Sequence, residues 1–320
     1  MRAITVAQPG GPENLRVEER PTPSAGPGEV LIKVVAAGLN RADVMQRMGF
    51  YPPPPGASDI LGLEVSGIVQ HVADDVTGFA AGDLVCALLT GGGYAEYVNV
   101  PAVQVLPVPA GVAITEAAGL PEVSATVLSN LMMTAHLSPG ETVLIHGGSS
   151  GIGTHAIQFA KALGATVAVT AGSDAKLDLC GELGADILIN YRTQEFGEVL
   201  KDRVDVILDI IGAKYLSHNI SALAVDGRLV TIGLQGGVVA EININDLLRK
   251  RGTFAATNLR GRPLDQKASI ISRVREVTWP LIESGAIKPI VGQAFPLEDA
   301  AEAHRFLESA DSSGKVLLTI

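Results

Sequence analysis

Only two cysteines, Cys86 and Cys180, occur in the 320 residues. Two thiols cannot build a disulfide framework or a four-cysteine zinc lobe, and they suit a reducing compartment. No run approaches the roughly 20 apolar residues that a membrane helix requires. The opening Met1-Arg2-Ala3-Ile4-Thr5-Val6 reads as a strand and lacks the apolar stretch of a secretory leader, so a cytoplasmic protein is expected. Basic residues are too few to balance acidic ones, 24 against 34, for a net charge of −10. A broad nucleic-acid footprint needs clustered Lys and Arg, so none is expected. The run Arg249-Lys250-Arg251 is a local basic patch or a solvated helix end. No internal repeat or low-complexity tract is present. What remains is 47% apolar and 18% charged, a globular composition, at a length that suits about two domains.

The pattern changes near residue 120. Before it, β-branched runs (Val30–Ala36, Gly67–Val72, Asp83–Leu88) are punctuated by turn signals at Pro27-Gly28, Asp74-Asp75 and Ala81-Gly82-Asp83. This predicts a β-rich domain. Pro52-Pro53-Pro54-Pro55-Gly56 is a stiff loop, either a linker or a rigid wall beside a site. After Pro121, strands and helices alternate: strands at 141–146, 166–170, 187–189, 204–209, 227–232 and 252–256, with helices at 153–163, 175–183 and 216–223. Such alternation predicts a doubly wound parallel α/β sheet. The tail reads as helix 267–284, strand 289–295, helix 297–307 and strand 315–320, returning to the first domain. The expected domains are 1–121 with 261–320, and 122–260.

Strand Val143–His146 runs into Gly147-Gly148-Ser149-Ser150-Gly151-Ile152-Gly153, and a helix follows. Gly148, Gly151 and Gly153 are spaced G-x-x-G-x-G. Such a junction lets backbone approach a pyrophosphate while the helix N-terminus offers free N–H groups and a positive partial charge. Taken alone it is also a tight structural turn; followed by four further strand–helix units, it predicts a bound dinucleotide. An NAD site places a carboxylate at the end of the second strand. Here Val169-Thr170-Ala171-Gly172-Ser173 has none. Ser173, Lys176 and Tyr191 can instead receive a 2′-phosphate, although Lys176 is also readable as a solvated helix residue beside Asp174. Two charge-assisted bonds of about 1.5–3 kcal/mol each would favour NADPH by roughly two to four decades.

The motifs Gln8–Leu15, Leu39-Asn40-Arg41-Ala42-Asp43-Val44-Met45-Gln46-Arg47, Tyr51–Ala57, Ile60-Leu61-Gly62-Leu63-Glu64, Leu89–Val98 and Thr170–Ser173 span essentially the whole chain. Together they resemble the medium-chain dehydrogenase/reductase superfamily, and within it the zinc-independent quinone oxidoreductases, most of all the p53-inducible subfamily. The zinc alcohol dehydrogenases of that superfamily carry Cys and His ligands where this chain has Asn40 and Leu63. Leu cannot coordinate and Asn is a poor zinc ligand, so no metal site is expected. His71 and His146 lack Cys partners and read as packed or surface histidines.

The resemblance implies a GroES-like catalytic domain, a Rossmann-type nucleotide domain, NADPH-dependent quinone reduction and a homodimer paired through the nucleotide domains. It also implies residue roles. Asn40 and Thr126 would approach the nicotinamide, and Gly151 and Ile152, with Gly148 and Gly153, the pyrophosphate. Gly172, Ser173, Lys176 and Tyr191 would hold the adenosine phosphate. Ser217, Gly233, Leu234 and Asn258 would line the pocket, with Lys315 on the returning tail. Tyr51, Asn40 and Ser150 would form the catalytic set, with Ser149 an alternative to Ser150. Without the resemblance, Tyr51 is a loop aromatic and Asn40 a turn residue. In the expected reaction, hydride leaves C4 of the nicotinamide and Tyr51 donates a hydrogen bond to the acceptor oxygen, while solvent supplies the proton. An enal, enone or enoyl thioester is the alternative acceptor. A non-catalytic NADPH-binding redox sensor is the reading of another class.

Overall fold

The computed structural model describes residues 1–320. It forms two compact units, Met1–Ala125 with Leu259–Ser284 and Pro289–Ile320, and Thr126–Asn258 with Gly285–Lys288. The short piece Gly285–Lys288 therefore leaves the tail, where the sequence put it, and joins the second unit. Its anchor is Gln158, whose Nε2 donates to the Lys288 carbonyl at 3.0 Å and whose Oε1 accepts the Lys288 N–H at 2.8 Å.

The strands in chain order are β1 (Arg2–Val6), β2 (Leu15–Glu19), β3 (Glu29–Gly38), β4 (Glu64–Val72), β5 (Leu84–Leu88), β6 (Tyr97–Pro101) and β7 (Val105–Pro107). They continue as β8 (Thr142–His146), β9 (Thr166–Ala171), β10 (Ile187–Asn190), β11 (Val204–Asp209), β12 (Leu223–Thr231), β13 (Thr253–Ala256), β14 (Val291–Pro296) and β15 (Lys315–Thr319). In the first unit β1 pairs with β2, and a second sheet runs β14-β15-β3-β4-β5-β7 with β6 on β3. Strand β15 returns antiparallel to β3, setting Leu317 opposite Gly38 and Leu318 opposite Ala37. Its core is branched aliphatic: Val30, Ile32, Val34, Val65, Val69, Val85, Val98, Val316 and Leu318 are all buried.

The second unit is a six-stranded sheet ordered β10-β9-β8-β11-β12-β13, every pair parallel. Continuous apolar runs such as Val143-Leu144-Ile145 are buried because helices cover both faces of a parallel sheet. The order reverses direction between β8 and β11. Ligands of such sheets bind beyond the carboxyl ends of the strands at that point. Two features were not visible in the sequence: the helix Arg41–Arg47, and the continuation of helix Pro121–Val127 into a π-helical stretch, Leu128–Thr134. In the latter, the Ala135 N–H reaches the Asn130 carbonyl at 2.9 Å.

His146 closes β8 from inside. Its Nε2 lies 2.7 Å from Asn219 Oδ1 and its Nδ1 3.0 Å from Thr170 Oγ1, and its ring meets Phe196 and Tyr215 edge-on. An amide oxygen only accepts, so Nε2 carries the proton and Nδ1 accepts from Thr170. Burial lowers the His146 pKa to about 4, which keeps the ring neutral. The folded pKa lies below the unfolded value, so this stabilisation is complete above the unfolded pKa of about 6.5 and is lost as pH falls toward 4. Denaturant melts of His146→Gln between those pH values should therefore show a shallower loss of stability than wild type, by about 1.4 kcal/mol per pH unit.

Candidate functional site

In the second unit, the glycine turn leaves β8 and enters helix Gly151–Ala162. Gly147 takes a left-handed φ of 70°. A Cβ at Gly153 would collide with the Gly147 and Gly148 carbonyl oxygens, so only glycine lets the turn fold this tightly. Ser150 caps the helix, its Oγ accepting the Gly153 N–H at 3.1 Å. The N–H groups of Gly151 and Ile152 lie in the first turn, where helix geometry supplies no acceptor. A 12-residue helix with these donors at its head fits a pyrophosphate.

The second strand ends as the sequence predicts, without a carboxylate: Ala171 closes β9 and Ser173 begins helix Asp174–Glu182. Ser173 makes no capping bond with its side chain. The Tyr191 hydroxyl lies where a Cβ of Gly172 would stand, so Gly172, Ser173 and Tyr191 share one locality, with Lys176 one turn further on. Asp174, a possible competitor, accepts from Asn190 Nδ2 at 3.0 Å. Thr126 is buried, its carbonyl accepting from Ser129 and Asn130. Ser217 and Asn258 are exposed, and Gly233 packs on Ile210 while Leu234 projects outward.

In the first unit a polar cluster occupies the interior. Lys315 Nζ donates to the Leu39 carbonyl and Asn40 Oδ1, each at 2.9 Å, and to Glu64 Oε1 at 2.5 Å. Asn40 Nδ2 donates to the same Glu64 oxygen at 3.0 Å. Glu64 Oε2 accepts the Glu122 N–H at 2.9 Å. Burial and the neighbouring Glu64 charge raise the Glu122 pKa to about 8, so this carboxyl is largely uncharged at neutral pH. Asp43 accepts the N–H groups of Asn40 and Gly62 and the Tyr94 hydroxyl, yet burial still raises its pKa to about 6. Arg47 reaches the Gly10 carbonyl, His304 Nδ1 and Glu308. A guanidinium only donates, so His304 Nδ1 accepts; burial and the Arg47 charge lower the His304 pKa to about 3.

Three of the expected site residues also carry structural bonds. All three donors of Lys315 are met within the protein, which makes it a buried structural cation. The Asn40 amide joins Lys315 to Glu64, which makes it a brace of this cluster. Ser150 is the helix cap, and its neighbour Ser149 is buried. The sequence reading missed Glu64, Glu122 and Asp43, although Glu64 and Asp43 sit inside motifs it quoted. Tyr51 stands beside Arg260, whose guanidinium carbon is 5.3 Å from the ring centroid. No group of three or more His, Cys, Asp or Glu side chains is arranged to hold a metal. A cleft near Ser58, Thr90 and Gly91 contains none of the expected site residues.

A twisted β unit carrying an all-parallel nucleotide-type α/β unit defines a dehydrogenase/reductase of the medium-chain class. Comparison with known proteins agrees. Residues 26–110 match the alcohol dehydrogenase GroES-like domain, and residues 183–318 match a zinc-binding dehydrogenase domain. Quinone oxidoreductase of Rattus norvegicus is 32% identical over all of this chain and 98% of its own. A 2-haloacrylate reductase of Burkholderia is 30% identical over 99% of this chain and 98% of its own. The crystal structure of Escherichia coli quinone oxidoreductase complexed with NADPH superposes with a TM-score of 0.91 at 31% identity, covering both chains fully. The chain belongs to the medium-chain dehydrogenase/reductase superfamily, in the family of the quinone oxidoreductases, and is an oxidoreductase.

Breaking one partner of a buried ion pair leaves the other charge uncompensated, at a cost of about 3–5 kcal/mol. Lys315→Met should lose stability on that scale in urea unfolding. The double variant Lys315→Met with Glu64→Gln, which removes both charges, should recover part of it.

Proposed function

We propose that this chain reduces quinones with NADPH and without a metal. The carrying observation is the glycine turn at the head of helix Gly151–Ala162, followed at the end of β9 by Ala171-Gly172-Ser173 where an NAD site keeps a carboxylate. When bound, NADPH supplies the hydride. The Gly151 and Ile152 N–H groups bind the pyrophosphate, with Gly148 and Gly153 keeping the turn tight. Ser173, Lys176 and Tyr191 hold the 2′-phosphate. Thr126, Ser217, Gly233, Leu234 and Asn258 complete the nucleotide wall. In the first unit the Tyr51 hydroxyl donates to the acceptor oxygen as charge grows there, and solvent returns the proton. Metal independence is supported by Asn40 and Leu63, neither of which suits zinc. The Lys315 ammonium on Asn40 and Glu64 already supplies a fixed positive charge at that point.

Reduction of activated C=C bonds is the second reading, favoured by the full-length likeness to a 2-haloacrylate reductase. A redox-sensor role is disfavoured: Cys86 and Cys180 are both buried, and burial raises both thiol pKa values, Cys180 to about 11. Two buried free thiols also suit the cytoplasmic location that forms part of this reading.

NADPH oxidation across quinones and α,β-unsaturated carbonyls tests the assignment; no oxidation with any acceptor would sink it. A preorganised donor is worth about 2.7–4 kcal/mol, so Tyr51→Phe should lower turnover roughly a hundredfold or more. Unchanged turnover with both acceptor types removes Tyr51 from the reaction. Lys176→Ala should cut the preference for NADPH over NADH by about tenfold to a hundredfold.

The same reading includes a homodimer through the nucleotide unit. Strand β13 is an edge of the six-stranded sheet and carries the exposed Phe254, and the same unit exposes Val238 and Val239 at 76% and 86%, with Ile244 and Leu248. Unpaired edge strands and apolar patches of this kind favour association. Light scattering should give twice the chain mass for wild type, and a charged Val239→Glu, Leu248→Glu variant should run as the monomer; a monomeric wild type refutes the pairing.

A further inference from the structure

Two cations in the first unit are buried without an ion-pair partner. Arg260 is 4% exposed and Lys267 5%. Both converge on Thr90: Arg260 Nε donates to its carbonyl at 2.9 Å, and Lys267 Nζ to its hydroxyl at 2.8 Å. Beyond Nε, both terminal nitrogens of Arg260 are shielded from water and have no hydrogen-bond acceptor. The Tyr51 ring covers the guanidinium. Asp43 and Glu122 act on Arg260 only through space, and Glu122 is largely protonated at neutral pH. Burial works against the charged form of both Arg260 and Lys267. Charged groups left unpaired inside a protein are costly, and mark a place where a partner is missing.

We propose that Arg260 and Lys267 form a receptor for a carboxylate on the substrate, so that the preferred acceptor is an unsaturated carbonyl compound bearing an acid group. The carboxylate's two oxygens match the two Arg260 Nη groups, the fork-to-fork pairing for which a guanidinium is shaped. Lys267 adds a point charge beside it. A phosphate would offer similar oxygens. The carboxylate is favoured because Tyr51, the side chain assigned to the acceptor, lies against this guanidinium, whereas the donors assigned to the nucleotide phosphates all belong to the second unit. Admission of the ligand requires a shift of the Tyr51 segment. That segment is stiffened by Pro52–Pro55 and flanked by Gly49 and Gly56, both in left-handed conformations, φ 86° and 83°. The segment can thus move as one piece about two glycines. The placement of the acid on the acceptor rests on the proposed function; the anion receptor itself does not.

The test is calorimetric titration of the full chain, without nucleotide, using trans-3-benzoylacrylate, its methyl ester and inorganic phosphate. The acid should bind about tenfold to a hundredfold tighter than the ester, as two charge-assisted bonds imply. Arg260→Gln should bring the acid-to-ester ratio close to one, and Lys267→Gln should lower it less. Thermal melts of Arg260→Gln without ligand check the fold. Should it fail to fold, Arg260→Lys, which keeps the charge but loses the fork, should still lower the ratio about tenfold. The proposal is overturned by equal binding of acid and ester, by no heat with the acid, or by a wild-type ratio in the Arg260 variant. Phosphate binding as tight as the acid overturns the assignment to a substrate carboxylate. Because no turnover is involved, failure here leaves the NADPH oxidation result untouched, and the converse also holds.

Discussion

The first unit depends on one ammonium. Lys315 stands at the head of the strand that returns from the far end of the chain, and its three donors meet Leu39, Asn40 and Glu64. A lysine stripped of water is tolerable only when every donor is met, and a buried carboxylate only when a cation answers it. Seating β15 on β3 and forming the pair with Glu64 are therefore one event. The strand cannot dock without bringing the charge inside, and without the strand the Glu64 carboxylate would lie buried with no cation beside it. Gly38 shows how tightly this is drawn, for any side chain there would overlap the Glu64 carboxylate and the Ala118 carbonyl.

The short helix Arg41–Arg47 extends the same logic. The residue before it holds Lys315, Asp43 holds Tyr94 and Gly62, and Arg47 holds His304 and Glu308. The hydrogen bonds acquire a direction. Arg47 donates to His304 Nδ1, which places the imidazole proton on Nε2, 3.4 Å from the Tyr94 hydroxyl, and that hydroxyl donates to Asp43. Each polar group thus fixes the protonation state of the next. Against this economy the bare terminal nitrogens of Arg260 stand out. Lys315 has every donor met, whereas Arg260 has only its Nε met, on the Thr90 carbonyl.

Much of the second unit was legible because its signals are local. Apolar runs such as Val143–Ile145 and Val206–Leu208 state a strand buried on both faces, and glycine at a strand-to-helix junction states a tight turn. The missing carboxylate at Ala171-Gly172-Ser173 is likewise read within a few residues. The interior cluster of the first unit was not legible. Lys315 lies 251 residues from Glu64, and a lone lysine in a strand near the chain's end has no local property that marks it as buried. The resemblance placed Lys315 and Asn40 near the active region, but no local signal pointed to the bonds that join both of them to Glu64. Ser150 is ambiguous for a related reason: a serine before a helix is both a phosphate-site residue and an N-cap, and the 3.1 Å bond from Gly153 shows the second task. The π-helical stretch Leu128–Thr134 is invisible to periodicity because its register slips within two turns.

On the two proposals, the units meet negative charge by different physical means. The segment Gly147–Gly153 carries no basic side chain; on the proposed reading partial charges on its backbone N–H groups do the work, and Gly153 must be glycine because a Cβ would strike the Gly147 and Gly148 carbonyl oxygens. Partial charges cost little to keep in the absence of a ligand, since water can satisfy exposed N–H groups. Around Thr90 the charges are whole and shut away from water, which is expensive without a ligand and strongly rewarding with one. The first arrangement suits a cofactor common to many related enzymes and bound through its constant phosphates. The second suits discrimination, because a neutral competitor entering beside Arg260 would leave the desolvated guanidinium unpaired and forfeit the energy that an acid recovers. Selectivity for the acceptor would then reside in the penalty for the wrong molecule as much as in the attraction for the right one.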